Sequence, residues 1–301
     1  MRPPVTHPAL RVPFRCGVKR LFLVGILLTQ AACSSTTFFY NRLDTIINWY
    51  VDDYVTLTKD QRADFERRLA TLLDWHRREE LPRYTALLTQ FEMGLDPTLE
   101  ATTVEYLFTE LSNAADRLEV RTLDLMIEFG ETLSPEQRLE FMAELQREQE
   151  EQRETLLERT DAEYQDDARE RLSDNLARFM GRLSADQKTG IEEHVQAYRR
   201  FDGPWLDDRA RWIAQLDAIL TQGDPDWPVQ VRAILAGRES ARSADYIRVY
   251  ENNSRVSRAV FRDVINLRSA KQDQRLRRKI NDYRDDFVVL TEQADKRSVK
   301  Q

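Results

Sequence analysis

Apolar residues recur at intervals of three and four positions along most of the chain. Residues 38–54 carry Leu43, Ile46, Ile47 and Tyr50 in this spacing, which places these side chains on one face of a helix. The same periodicity predicts further helices over residues 59–80, 99–131, 204–222, 228–236, 239–268 and 271–293. No segment shows sustained alternation of apolar and polar residues between hairpin signals, so the sequence predicts an all-α fold without a sheet.

Prolines and glycines mark the expected joints between these helices. Pro82 is expected to end or kink the helix over residues 59–80, because proline lacks an N–H group and its ring clashes with the preceding turn. Asp96-Pro97, Gly203-Pro204 and residues 223–225 (Gly-Asp-Pro) are expected to separate later helices.

A short motif typical of helix starts occurs three times, as LTKDQ at residues 57–61, LSPEQ at 133–137 and LSADQ at 183–187. In each copy a Ser or Thr hydroxyl can accept from a first-turn amide, while the Gln three positions later can reach back to the amide of the Ser or Thr. The spacing between the copies is unequal, which is not the pattern of a solenoid repeat. The motif therefore predicts three capping boxes.

The segment between two of these motifs is almost entirely polar. Residues 146–171 contain no Pro or Gly and few apolar anchors, and with their flanks they predict one helix over residues 135–182, about 70 Å long. A long polar helix is typical of a bridge between two packed units. The sequence therefore predicts an elongated protein with an N-terminal helical lobe (33–132), a bridging helix (133–182) and a C-terminal helical lobe (183–301).

The first 33 residues have the layout of a bacterial secretory signal. Residues 1–20 hold five basic and no acidic residues, and an apolar run, Leu21 to Leu28, leads to Ala31, Ala32 and Cys33. From residue 21 to residue 32 the segment is too short to span a bilayer. The sequence around Cys33 resembles a lipobox, which implies that residues 1–32 are removed, that Cys33 is acylated, and that the protein is sorted to the outer membrane.

Charge is distributed unevenly along the rest of the chain. Of the 45 basic and 52 acidic residues, residues 228–301 hold 17 basic and 10 acidic ones, whereas residues 33–227 hold 23 and 42. A basic segment attached to a strongly acidic one argues against a general nucleic-acid binder. We expect the two parts to face each other or different partners.

The sequence contains no recognisable catalytic or cofactor motif. His76, Glu79 and Glu80 could share a helix face, but there is no HExxH pattern, no second His four residues away and no Asp-rich calcium loop, so no metal is expected. Neither a GxSxG motif nor a glycine-rich phosphate loop is present. The sequence therefore predicts a protein that is not an enzyme and has no cofactor.

Aromatic residues gather close to the predicted lipid site. Phe38, Phe39, Tyr40 and Trp49 lie within 16 residues of Cys33, and rings with polar tips suit the headgroup boundary of a membrane. These four residues are predicted to be membrane-proximal. The alternative is that they belong to an ordinary core helix.

Several strings resemble known families. YNRLD (Tyr40 to Asp44), WYVDDYV (Trp49 to Val55) and WHRREELPRY (Trp75 to Tyr84) resemble an uncharacterised family of proteobacterial helical lipoproteins that carries a domain of unknown function. This resemblance implies an envelope location and a helical fold, but no activity. LTKDQ is similar to the LTxxQ motif of Spy-like and CpxP-like periplasmic chaperones, and the expected shape is similar to that of helical lipase foldases.

Together these features predict an all-α lipoprotein on the periplasmic face of the outer membrane, bound to the membrane through lipid at Cys33. We expect a non-enzymatic binding, scaffolding or chaperone-like module for envelope proteins. The candidate partner-binding residues are Thr58, Gln61, Trp75, Arg77, Glu79, Glu80 and Arg83. Two alternatives are that these residues only join helices, and that the protein is an envelope hydrolase acting on peptidoglycan through one helix-borne Glu.

Overall fold

The computed structural model describes residues 34–298, and within this range the protein is all-α, elongated and without strands. The predicted fold class is confirmed. In the first half of the chain the α-helices are α1 (Ser34–Tyr40), α2 (Leu43–Asp52), α3 (Lys59–Trp75), α4 (Leu81–Met93), α5 (Ala101–Gly130) and α6 (Pro135–Glu158). In the second half they are α7 (Asp161–Met180), α8 (Ala185–Val195), α9 (Asp202–Thr221), α10 (Trp227–Ala236), α11 (Ala244–Asn266) and α12 (Ala270–Ser298).

The helix does not end before Pro82, but the turn that precedes the proline is a wider π-helical turn. Residues His76–Glu80 form one π-helical stretch between α3 and α4, and the amide of Leu81 donates to the carbonyl of His76, five residues back. The wider turn accommodates Pro82 in the first turn of α4, where an N–H group is not needed. We refer to residues 76–80 as the π segment.

The predicted single helix over residues 135–182 is wrong, because the chain leaves the helical conformation at Arg159. Thr160 Oγ1 accepts from the amide of Glu163 (3.2 Å), and Glu163 Oε2 accepts from the amide of Thr160 (2.7 Å), so a further capping box starts α7. The Arg159 guanidinium binds Asp202 at 2.5 and 2.9 Å and Asp167 at 2.6 Å. A cap and an ion-paired joint therefore replace the expected continuous rod.

The largest apolar cluster draws residues from both predicted lobes. Leu95 and Val104 come from the N-terminal segment, whereas Ile191, Val260 and Ile280 come from the C-terminal one, and all five are almost fully buried. α12 packs on α4 and on the π segment, which brings the C-terminal helix against the N-terminal segment. The two segments therefore share a core.

The capping boxes also pair with each other. The side-chain amides of Gln61 and Gln137 form two reciprocal hydrogen bonds of 2.8 Å, which join the starts of α3 and α6. Ser269 and Gln272 form a cap that the sequence analysis missed, and Gln272 pairs with Gln187 at 2.8 and 3.4 Å. Each of these glutamines thus caps its own helix and binds a second helix start.

Candidate functional site

The first two helices expose a stripe of apolar and aromatic side chains. Phe38, Ile46 and Trp49 are 49%, 44% and 68% exposed. The Arg42 guanidinium lies 3.6 Å above the centre of the Phe38 ring, so it continues the stripe between α1 and α2. Phe39 is also exposed and meets Phe38 edge to face. We call Phe38, Phe39, Arg42, Ile46 and Trp49 the anchor face.

α1 is fixed to α12 by hydrogen bonds to a buried carboxylate. The hydroxyl of Thr37 donates to Asp286 Oδ1 at 3.1 Å, and Thr36 forms a second hydrogen bond to the same side chain. Burial raises the pKa of Asp286, although both hydroxyl groups act in the opposite direction by stabilising the charged form. Asn41, just after α1, adds a hydrogen bond of 3.1 Å to Gln293.

The same side of α1 is also fixed to the π segment. The Tyr40 hydroxyl lies 2.7 Å from His76 Nδ1, and Arg77 Nη2 donates to Asn41 Oδ1 at 3.1 Å. The Arg77 guanidinium also lies 5.0 Å from the centre of the Tyr40 ring. Burial lowers the pKa of His76 to about 4, with Glu80 raising it and Arg77 lowering it further, so the imidazole is neutral at pH 7.

Glu80 is the most buried charge of the π segment, with 0% of its surface exposed. Arg117 of α5 donates two hydrogen bonds to the two carboxylate oxygens at 2.7 and 2.8 Å, and Arg83 donates a third at 2.7 Å. Burial by itself would raise the pKa of Glu80, but the bonds and charge of Arg117, aided by Arg83 and His76, lower it below its usual range. This carboxylate is therefore charged, and both of its oxygens accept hydrogen bonds from arginines of the same fold.

The structure does not bring the seven candidate partner-binding residues together on one surface. Thr58 and Gln61 belong to the cap of α3, about 25 Å along the helix from the π segment. Trp75 is half-buried under the Arg121 guanidinium, and Arg77 and Glu80 are buried. The remaining two, Glu79 and Arg83, are exposed and lie 3.8 Å apart as an ion pair.

Of the four residues predicted to be membrane-proximal, three are exposed and one is buried. Phe38, Phe39 and Trp49 are exposed, whereas Tyr40 is 3% exposed and packs with Leu43, Leu81 and Leu290. The expected surface position of Tyr40 is wrong, because α12 covers this side of α1. Cys33 and residues 1–32 lie outside the described residues.

Within residues 34–298, no three His, Cys, Asp or Glu side chains lie close enough together to hold a metal ion. His76 contacts the phenol groups of Tyr40 and Tyr84, while the nearby Glu80 carboxylate faces arginines. Sequence reasoning missed Arg117 and Asp286 altogether. Neither residue stands in a motif, and each acquires its role from a helix distant in sequence.

Among the helices between residues 34 and 298, none combines the length and the apolar run that a bilayer crossing needs. No curated protein and no solved structure matches the chain, and the resemblance to Spy-like and CpxP-like chaperones is not shown. One family model matches residues 53–247, more than half of the sequence. The chain therefore belongs to this family, a family of unknown function designated DUF6279.

Proposed function

We propose that this protein is a lipid-anchored outer-membrane lipoprotein whose anchor face rests on the periplasmic surface of the membrane. The observation that carries the proposal is the exposed stripe of Phe38, Ile46 and Trp49 in the helices that directly follow Cys33 in the sequence. Aromatic and aliphatic side chains on one side of a helix gain free energy by entering the headgroup boundary. The Arg42 guanidinium suits the same boundary, since it can bind phosphate groups.

The lipid would hold the body of the protein close to the membrane. α1 begins at Ser34, and four residues of helix separate Ser34 from Phe38 by about 6 Å. Because Tyr40 and Thr37 fix this helix to the π segment and to α12, a lipid on Cys33 would act on the folded body and not through a long tether. Such an attachment suits a scaffold, which must hold its binding surfaces at a defined distance from the membrane.

The proposed role is binding or scaffolding of envelope proteins, without enzymatic activity. An elongated helical body offers long surfaces, including α5 of 30 residues and α12 of 29 residues. The carboxylate of Glu80 does not suit the acid of a hydrolase, because its pKa is lowered, whereas a general acid needs a raised one. Zymography on cell-wall sacculi tests this point, and clearing that a single Glu→Gln change abolishes would contradict it.

Acylation is tested in cells. Labelling with radioactive palmitate and mass spectrometry of the mature N-terminus should find the modification on Cys33, and Cys33→Ser should abolish the labelling. An unmodified Cys33 in a membrane-free fraction would overturn the proposed location.

The anchor face is tested with zwitterionic vesicles on unacylated protein that starts at residue 33 and carries Cys33→Ser. Trp49→Ala should reduce co-flotation, because it removes the most exposed ring of the stripe. Met93→Ala is the matched control, since Met93 is equally exposed at 68% but lies at the end of α4. If Trp49→Ala and Met93→Ala float equally, the anchor face does not contact the membrane and this part of the proposal is wrong.

A further inference from the structure

The seam between α7 and α12 carries a cluster of basic side chains. Lys271, Arg275 and Arg278 are exposed and follow one another at intervals of four and three residues, which places them on one side of α12. Arg275 lies against the end of α7, where a Cβ atom on Gly181 would be 3.2 Å from Arg275 Cδ. The next residue, Arg182, is exposed as well. We define the basic seam as Arg182, Lys271, Arg275, Arg278 and Lys279.

The basic seam differs from most of the arginines of this protein in forming no ion pair in the described part of the chain, although the charge of Lys279 reaches Asp286 and acts to lower the pKa of that carboxyl. Arg68 binds Asp64 and Glu128, and Arg277, on the same helix as the seam, binds Asp273 and Asp96. Within the described part of the chain, no residue of the basic seam forms an ion pair, and the Lys279 ammonium instead lies 4.9 Å from the centre of the Tyr283 ring.

Unneutralised charges of one sign that lie side by side create a local positive potential, which attracts anionic groups over about 8 to 10 Å at physiological salt. The cluster ends at Asp282, one turn beyond Arg278. The seam is therefore a bounded positive surface and not part of a uniformly basic helix.

The same helix leads from the basic seam to the anchor helix. Asp286, which binds Thr37 of α1, follows Lys279 by seven residues, or about 10 Å along α12. Lys271 lies about 22 Å from Asp286 by the same measure. The Lys279 end of the seam is therefore the end nearer to α1, the helix that carries Phe38 and Phe39 of the anchor face.

We propose that the basic seam binds the phosphate headgroups of anionic lipids on the membrane that holds the anchor. This inference rests on the proposed function, since acylation at Cys33 is what brings α1 to that membrane. Guanidinium groups bind phosphate with two hydrogen bonds at once, and each basic residue close to an anionic surface contributes about 1 kcal/mol. The seam would provide a second contact beside the lipid and fix the rotation of the body on the membrane.

The test measures co-sedimentation of unacylated protein that starts at residue 33 and carries Cys33→Ser with vesicles of phosphatidylcholine alone or mixed with phosphatidylglycerol. We expect stronger binding to the mixed vesicles and its loss at high salt. Arg275→Glu with Arg278→Glu should weaken binding to the mixed vesicles by more than about thirtyfold, because removing two surface charges alone has about that effect and the added carboxylates repel the phosphates. Arg275→Gln with Arg278→Gln removes the charges without adding acids and should act in the same direction.

The matched control is Arg248→Glu with Arg255→Glu, which changes two exposed arginines of α11 by the same charge. This variant should keep at least most of the binding to the mixed vesicles. Equal binding of both vesicle types, an unchanged Arg275/Arg278 variant, or an equal loss in the control would each overturn the inference, as would binding to soluble polyphosphate without binding to vesicles.

Failure of this inference is distinguishable from failure of the proposed function. The vesicle experiment uses protein without lipid, so its result does not depend on acylation. Conversely, an unacylated Cys33 in cells would overturn the proposed anchor whatever the vesicles show.

Discussion

Acidification should weaken the attachment of α1 through one residue, His76. Its imidazole is half-buried between Tyr40 and Tyr84, and burial lowers its pKa from 6.5 to about 4. In the unfolded chain the same ring takes up a proton near pH 6.5. Between these two values the unfolded state binds the proton and the folded state does not, so folding becomes less favourable as the pH falls.

The size of this effect follows from the two pKa values. The contribution of His76 is fully present above pH 6.5 and is lost progressively towards pH 4. From about pH 7.5 to about pH 4.5 the expected loss in the free energy of unfolding is about 2.5 kcal/mol. Groups common to the wild type and a variant cancel when the two proteins are compared.

The change to test is His76→Asn, which keeps a hydrogen-bonding group near Tyr40 but cannot take up a proton in this range. Urea unfolding at a series of pH values should show that, between about pH 7.5 and about pH 4.5, the wild type loses about 2.5 kcal/mol more stability than His76→Asn does. If His76→Asn loses as much stability on acidification as the wild type, the burial argument is wrong.

Two further changes test the buried polar contacts. Glu80→Gln should lower the free energy of unfolding by about 2 to 3 kcal/mol, because it leaves arginines without their carboxylate, whereas Glu79→Gln at the exposed neighbouring position should cost less than about 0.5 kcal/mol. Gln187→Ala should cost about 2 kcal/mol, because it removes a cap and one of the hydrogen-bond partners of the buried Gln272 amide. Gln137→Ala at the more exposed pair should cost about half as much. Urea unfolding measures all four, and equal losses at buried and exposed positions would contradict both estimates.

Much of the secondary structure is determined locally and was therefore predictable. The helix expected over residues 99–131 is α5 (Ala101–Gly130), and Thr58 and Ser134 form the capping boxes that their motifs predict. Contacts within one turn of helix set these boundaries, and the sequence lists all the participants. The break at Thr160 carries the same kind of signal, a Thr followed three residues later by a Glu, and was missed because a continuous polar helix was expected.

The sequence by itself thus determined the helices, their caps and the candidate leader, while the tertiary structure decided which side chains are buried. Tyr40 and Trp49 are alike in the sequence, yet Tyr40 is buried because α12 covers it and Trp49 remains exposed. Likewise, Glu80 gains Arg117 from a helix 37 residues away, and Gln187 gains Gln272 across 85 residues. Helical periodicity says which residues share a face, but only the packing of distant helices decides whether that face meets a partner or water.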